Sequence, residues 1–402
     1  MEGNISIVII DYSFSTSFFI RLANSDRKRK YIFIVTSISS FYKVKASGYE
    51  VYLISRFSRK SDICFPKESY INAKEIKLRI MNECDVYNIF SKILNLISKI
   101  LSSQYHENFN LLVWSGAGVS GEVVRFVKGY YENLNISTGF FEISNLPGKI
   151  FVDCLGTNAQ SSIYLSKCKQ LKYIDDEINN DYLNWLDICK KSKLGVYTPP
   201  QANLGKKLNI FHFFDFLFSI SLGYRLFSFD SVLKKLPIKN KKNGITFDEK
   251  LPQEYVFFPM QVSSDAQLIL NSDLDNRTAL NLILKEFKGN VVIKPHPAER
   301  NVKYIFDIID SNKDRVFFTN GNTYELIVKS SKILTINSTV GLEGLIFGKD
   351  VKFYGHSFYS YFDDNIMKNY IMNLLIDIDF FNTNLALCIN EKEIDKIYSL
   401  VR

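Results

Sequence analysis

The chain is short of the residues that lock a fold covalently. Its 402 residues include six cysteines, Cys64, Cys84, Cys154, Cys168, Cys189 and Cys388, with no Cys-x-x-Cys pair and no metal-like spacing. That argues against a disulfide framework or a thiolate metal centre, and free thiols in a cytoplasmic protein are the simplest account. The opening Met1-Glu2-Gly3-Asn4-Ile5 lacks a basic segment followed by an apolar one, so no export signal is expected. No long basic run is present. The net charge of +8, from 50 Lys and Arg against 42 Asp and Glu, suits an anionic partner such as a nucleotide sugar or an acidic leaflet, and not nucleic acid. Nor is there a run of about 20 uncharged apolar residues, the length a bilayer span needs. The most apolar segment lies within 203–230, and His212, Asp215 and Arg225 interrupt it. A helix packed on the rest of the protein is expected around residues 210–227, with an interfacial, membrane-facing helix as the alternative. No internal repeat is apparent.

What is present is globular. Hydrophobic residues make up 46% and charged residues 23%, enough apolar material for two domains with separate cores. The 33 Phe and 23 Tyr fit a biased codon usage that fills cores and surfaces, or a surface that touches lipid or sugar.

Short apolar runs alternate with helical patterns along the whole chain. Ile5 to Ile10, Tyr31 to Thr36, Glu50 to Ser55, Leu111 to Trp114, a run ending at Phe141-Glu142, and Ile150 to Asp153 read as strands. Val86, Ile89, Phe90, Ile93, Leu94, Ile97, Ile100 and Leu101 keep helical spacing, and Gly121 to Tyr131 reads as another helix. The stretch from Lys234 to Gly244 is polar, basic and broken by Pro237, and reads as a linker. Beyond it, strands at 255–258, 291–294, 315–318, 332–337 and 351–354 alternate with helices at 277–287, 302–309, 323–329 and 340–348. Strands separated by crossovers imply parallel sheets. The expected division is an N-terminal domain over 1–235, a linker over 236–253, a C-terminal domain over 254–380 and a final helix within 381–402, Glu391 to Val401, whose packing back across the domain boundary is left open.

Chemistry concentrates at the ends of these strands. Val291-Val292-Ile293-Lys294 is followed by Pro295-His296-Pro297, which puts His296 at the carboxyl end of a parallel strand beside the cation of Lys294. Ligands of open α/β sheets bind at that edge. Lys332 to Asn337 ends the same way, with Ser338 as a helix N-cap and Thr339 beside it, and the helix start attracts a phosphate. A core or helix-capping histidine is the bland alternative. Gln261 and Asp265, in the loop after the strand at 255–258, could read hydroxyls of a base or sugar, or Asp265 could simply cap a helix. Glu142 and Asp153 end two strands and suit nucleophile or acid/base duty at a sugar carbon, against a bland reading as solvated turn carboxylates. Gly116-Ala117-Gly118-Val119-Ser120-Gly121 is a literal GxGxxG with Glu142 downstream, the pattern of a dinucleotide site. Several elements precede it, whereas that fingerprint normally opens its domain. A small-residue turn allowing close helix packing is the preferred reading, and a nicotinamide enzyme the rival.

Four segments in order, Pro147 to Asp153 running on to Asn158, Gln261 to Gln267, Lys294-Pro295-His296-Pro297, and Asn337 to Glu343, resemble the bacterial capsule polysaccharide biosynthesis family, whose members include β-Kdo transferases. The likeness spans roughly residues 110–165 and 254–355. It implies a GT-B-like α/β fold, two Rossmann-like doubly wound domains facing an interdomain cleft, and transfer of Kdo from CMP-Kdo with retention, by attack of an N-terminal carboxylate. It further implies that His296, Ser338 and Thr339 hold the CMP phosphate, Glu343 the ribose or base, and Gln261 the donor. Family members carry the acidic residue in a Glu-Asp/Asn-Gly context, whereas Ile143, Ser144 and Asn145 follow Glu142 here, so the nucleophile stays open between Glu142 and Asp153. No metal or cofactor is implied beyond the CMP-sugar substrate; the partners are a glycan or glycolipid acceptor, with peripheral contact at the inner face of the inner membrane left open. A sialyltransferase and a non-catalytic assembly or export component are the alternatives.

Overall fold

Alternation along β1 (Asn4–Ile10) sets the layering: Ile5, Ile7 and Ile9 join one buried cluster while Val8 and Ile10 join another. A strand buried on both faces needs helices on both sides, the condition for a doubly wound sheet. The computed structural model describes residues 4–11, 13–103, 107–144, 146–172, 178–195, 214–215, 217, 246–248, 250–299 and 301–402. Most of the expected linker and aromatic segment therefore lies outside the described residues.

The chain forms two units, one of Met1–Leu165, Pro199–Leu236 and Asn373–Arg402, the other of Ser166–Thr198 and Pro237–Met372. In the first, β2 (Lys30–Val35), β3 (Glu50–Leu53), β4 (Asn108–Trp114), β5 (Ile136–Ile143), β6 (Lys149–Asp153) and β12 (Ile376–Asp377) join β1 in the order β12-β6-β5-β4-β1-β2-β3. β3 through β5 are parallel. The second unit holds β7 (Val256–Pro259), β8 (Val291–Lys294), β9 (Val316–Phe318), β10 (Lys332–Thr335) and β11 (Asp350–Phe353), all parallel, in the order β11-β10-β7-β8-β9. Each unit thus repeats one Rossmann-like winding, in which the first strand is flanked by the second and the fourth. The fold is the mixed α/β class with two Rossmann-like sheets expected from the sequence.

Three features depart from the expected pattern. β6 runs antiparallel to β5, because Pro147 and Gly148, at φ +70, turn the chain straight back. In addition, Asn373–Arg402 closes the first sheet: β12 pairs antiparallel with β6, and the helix Glu391–Leu400 sends Ile394 and Ile397 into the first unit's core. Buried Arg21 fixes this return by donating to the carbonyls of Asp379, Asn382 and Leu387. The segment Ser166–Thr198, inside the expected 1–235 domain, packs with the second unit.

In the second unit the helix Thr339–Ile346 lies close on β10 and β11. A Cβ at Gly344 would stand 2.3 Å from Ile333 Cδ1 and 3.0 Å from Val351 Cγ2. Gly344→Ala should cost about 1–3 kcal/mol by overpacking, measured as a fall in the unit's denaturation midpoint. An unchanged midpoint would mean the helix slides away from the sheet at no cost.

Candidate functional site

In a doubly wound sheet the crevice opens where the winding reverses, at the carboxyl ends of the first and fourth strands. In the second unit these are β7 and β10. Lys294 pairs with Pro259, and Phe257 with Ile333, so β8, β7 and β10 release their chains at one level. His296 and Asn337-Ser338 consequently flank Gln261. They leave strands that are next but one, not neighbours, and two strand spacings put their backbones about 10 Å apart. An anion seated above the end of β7 would face both.

Each group has a defined local role. The imidazole Nδ1 of His296 accepts from Ala298 N at 3.1 Å, which leaves the proton of the neutral ring on Nε2 as an outward donor. Desolvation lowers the imidazole below its ordinary value, against the raising pull of Asp265 and Glu299 and with a further lowering by Lys294. Lys294 Nζ donates to Thr323 Oγ1 at 2.6 Å, and among the described residues it has no carboxylate partner. Desolvation lowers its ammonium as well. Ser338 caps the helix Thr339–Ile346, its Oγ accepting from Val340 N at 3.2 Å while its hydroxyl proton stays available. Thr339 is exposed at the first helical position.

Gln261 is placed differently from expectation. It is 5% exposed, its Nε2 donates to Asn337 Oδ1 at 2.8 Å, and its Oε1 accepts from Asn337 N at 3.1 Å. Its backbone is also held by Asn276. The side chain therefore ties the β7 exit to the β10 exit. Asp265 caps the short helix Ala266–Leu270 through Gln267 N, and its charge faces His296. Glu299 Oε2 takes Ser263 N at 2.7 Å, binding the loop after β7 to the loop that carries His296.

Glu343 belongs to a network the sequence did not show. Its Oε1 accepts from Lys193 Nζ at 2.7 Å and from Tyr324 OH at 2.9 Å. The Lys193 side chain is 1% exposed and that of Glu343 14%, so the pair is a desolvated one. Such a charge pair holds geometry more than it adds stability. Lys193 reaches it from the helix Ile178–Leu194, about 150 residues earlier, a separation no local pattern can encode.

In the first unit Asp153 is 4% exposed and fully engaged. Its Oδ1 accepts from the backbone N–H groups of Leu155, Gly156 and Ser162, and its Oδ2 from the amide and hydroxyl of Ser162. A carboxylate with every lone pair committed ties a loop and makes a poor nucleophile. Glu142 lies half-buried on β5 opposite Phe151.

The glycine motif folds back on itself. A Cβ at Gly121 would lie 2.0 Å from the Gly116 carbonyl oxygen, and one at Gly118 would lie 2.7 Å from Glu75 Oε1. Glu75, 8% exposed, accepts Val119 N at 3.0 Å and so occupies the start of the helix Val119–Tyr130, where a pyrophosphate would have to sit. Nearby Asp11 accepts from Ser120 Oγ at 2.5 Å. Burial raises both carboxyls, that of Glu75 to about 7. Two buried acids at this point oppose a dinucleotide. Asp11, directly after the apolar run of β1, was visible in the sequence by position; nothing marked Glu75.

The second unit is thus an α/β module with polar groups gathered where the winding reverses. Residues 231–363 match the family described as capsule polysaccharide biosynthesis protein. The chain is similar to Protein FixF of Sinorhizobium fredii, 38% identical over 115 residues, which is 26% of this chain and 27% of that protein. It therefore spans about a quarter of that relative. Among solved structures it is similar to the β-Kdo 2,7 transferase of Thermosulfurimonas dismutans KpsC, at 15% identity and a TM-score of 0.43, covering 76% of this chain and 89% of that one. It is also similar to the β-Kdo 2,4 transferase of the same protein, at 16% identity and a TM-score of 0.36, covering 64% of this chain and 71% of that one. Among the described residues no helix is long and apolar enough to cross a membrane.

Proposed function

We propose that this chain is a glycosyltransferase of capsule or surface polysaccharide assembly. It moves a CMP-activated ulosonic acid, Kdo in the first instance, onto a lipid-linked or growing glycan with retention of configuration, and works in the cytoplasm at the inner face of the membrane. The observation that supports the reading is the edge of the second sheet, where His296, Lys294 and, at a helix start, Ser338 stand at strand ends released at one level, groups that suit an anion. A departing CMP gains negative charge as the sugar bond breaks, and prearranged donors stabilise that charge without reorganising. Glu343, braced by Lys193 and Tyr324, takes ribose hydroxyls, while Gln261 and Asp265 serve the donor by fixing the loop. Glu142 is the carboxylate proposed to attack the sugar, since the oxygens of Asp153 are committed to its loop.

A donor panel tests this. The purified chain should turn over CMP-Kdo, with CMP-sialic acid weaker and UDP-sugars inert. Preference for CMP-sialic acid would make it a sialyltransferase, turnover of UDP-sugars would end both readings, and CMP binding without turnover of any donor would favour a non-catalytic assembly component.

A further inference from the structure

The first unit holds a cavity of about 710 Å³ at the carboxyl ends of β1 and β2, whose lining includes neither the glycine turn nor Glu142. Its walls are aromatic, with Phe14, Tyr42 and Phe214 exposed and Phe380 and Phe381 behind them. Ser13, Ser17 and Thr383 also line it, and its charged residues are Lys43 and Asp215. The two charges are not equivalent. Asp215, buried, already accepts the amide of Ser39 at 2.9 Å and its hydroxyl at 2.5 Å, so the carboxylate is absorbed by the start of the helix Ile38–Ala46. Lys43, one turn further along, donates to Ser17 Oγ at 2.7 Å, and among the described residues it meets no carboxylate. Burial lowers its ammonium with no opposing charge to restore it.

A half-buried ammonium lacking a counter-charge in an aromatic enclosure has its solvation incomplete until an anion arrives. We propose that this cavity binds an acidic sugar: a pyranose ring lying on the aromatic walls, its hydroxyls meeting Ser13, Ser17 and Thr383, and its carboxylate or phosphate on Lys43. The volume lies within the range of small-molecule sites, roughly 300–1,000 Å³. An acyl chain fits the same space less well, because it would leave the hydroxyls and the ammonium desolvated without partners.

The protein supplies its own reporter. Trp114 stands 6.1 Å from Phe14 and 4.4 Å from Phe380, ring to ring, and the second tryptophan, Trp185, belongs to the other unit. In the full-length Trp185→Phe chain, Trp114 fluorescence should respond to glucuronate and to glucose 6-phosphate, and more weakly to glucose. The stronger of the two acids identifies the anion as carboxylate or phosphate. Lys43→Met should weaken the acids roughly ten- to hundredfold, the loss of one charge-assisted bond, and leave glucose unchanged. Lys43→Arg should retain most of the preference. Circular dichroism and melting of each variant separate a lost ligand from a lost fold. The proposal is overturned if decanoate binds and the sugars do not, if acids and glucose bind alike in the parent chain, or if no sugar binds. Because turnover is not read, failure here leaves the transferase reading intact, and failure of the donor panel leaves this one intact.

Discussion

Replacement of His296 by alanine should weaken CMP binding roughly ten- to hundredfold at pH 7, the value of one hydrogen bond to a charged group together with its positioning effect. The argument rests on the tautomer. With Nδ1 accepting from Ala298 N, the neutral ring carries its proton on Nε2 and donates it outward, and the lowered basicity of the ring makes that neutral form the one present at pH 7. A phosphate bound there favours the imidazolium, so the bound ring has a higher pKa than the free one. Binding then takes up protons, and affinity should rise as pH falls from the bound ring's pKa toward the free ring's lowered one, which is below the ordinary 6.5, and level off beneath it. His296→Gln keeps a donor without a titration. The ratio of parent to His296→Gln affinity should therefore grow on acidification, while protonation of the phosphate itself cancels from the ratio. Calorimetry from pH 5 to 8 reads this directly, and equal CMP affinity of His296→Ala and the parent would remove the anion site from this edge.

The fold was legible to the extent that its signals are local. The apolar runs at 291–294 and the helix over 323–329 are where their patterns place them, because a doubly buried strand must be continuously apolar and a short capped helix marks its own ends. The direction of β6 was harder to read. Leu146-Pro147-Gly148 announces a turn, but whether the next strand pairs back or crosses over depends on which edge is open. The closing of the first sheet by Asn373–Arg402 has the same origin: a two-residue strand and a return helix carry no address in their composition. At the site, positions beside strand ends could be found, whereas partners could not. The commitment of Gln261 to Asn337 and the brace of Lys193 on Glu343 each join residues far apart in the chain, and only packing brings them together.

Glu75→Gln should stabilise the first unit at pH 8 by up to about 3 kcal/mol and leave it little changed at pH 5. The Glu75 carboxyl is raised from 4.5 to about 7, chiefly by burial and, less, by Asp11, while Lys74 and the amide of Val119 lower it. An acid whose folded pKa lies above its unfolded one holds a proton that the unfolded chain has released. Between about pH 4.5 and 7 the native state therefore binds the extra proton, and stability falls as pH rises. A difference of about 2.5 units corresponds to roughly 3 kcal/mol across that window. Glutamine keeps an oxygen for Val119 N but has no charge to bury, so it escapes the loss. Asp11, also raised by burial, contributes a slope of the same sign that survives in Glu75→Gln. The stability of the variant should thus decline less steeply with pH without becoming flat. Denaturation followed by Trp114 fluorescence in the Trp185→Phe chain confines the reading to this unit. Parallel stability profiles for parent and variant would mean that Glu75 is ionised in place, balanced by the start of the helix Val119–Tyr130. In that case an anionic carboxylate would hold the helix start, and a dinucleotide there would be opposed by charge as well as by occupancy.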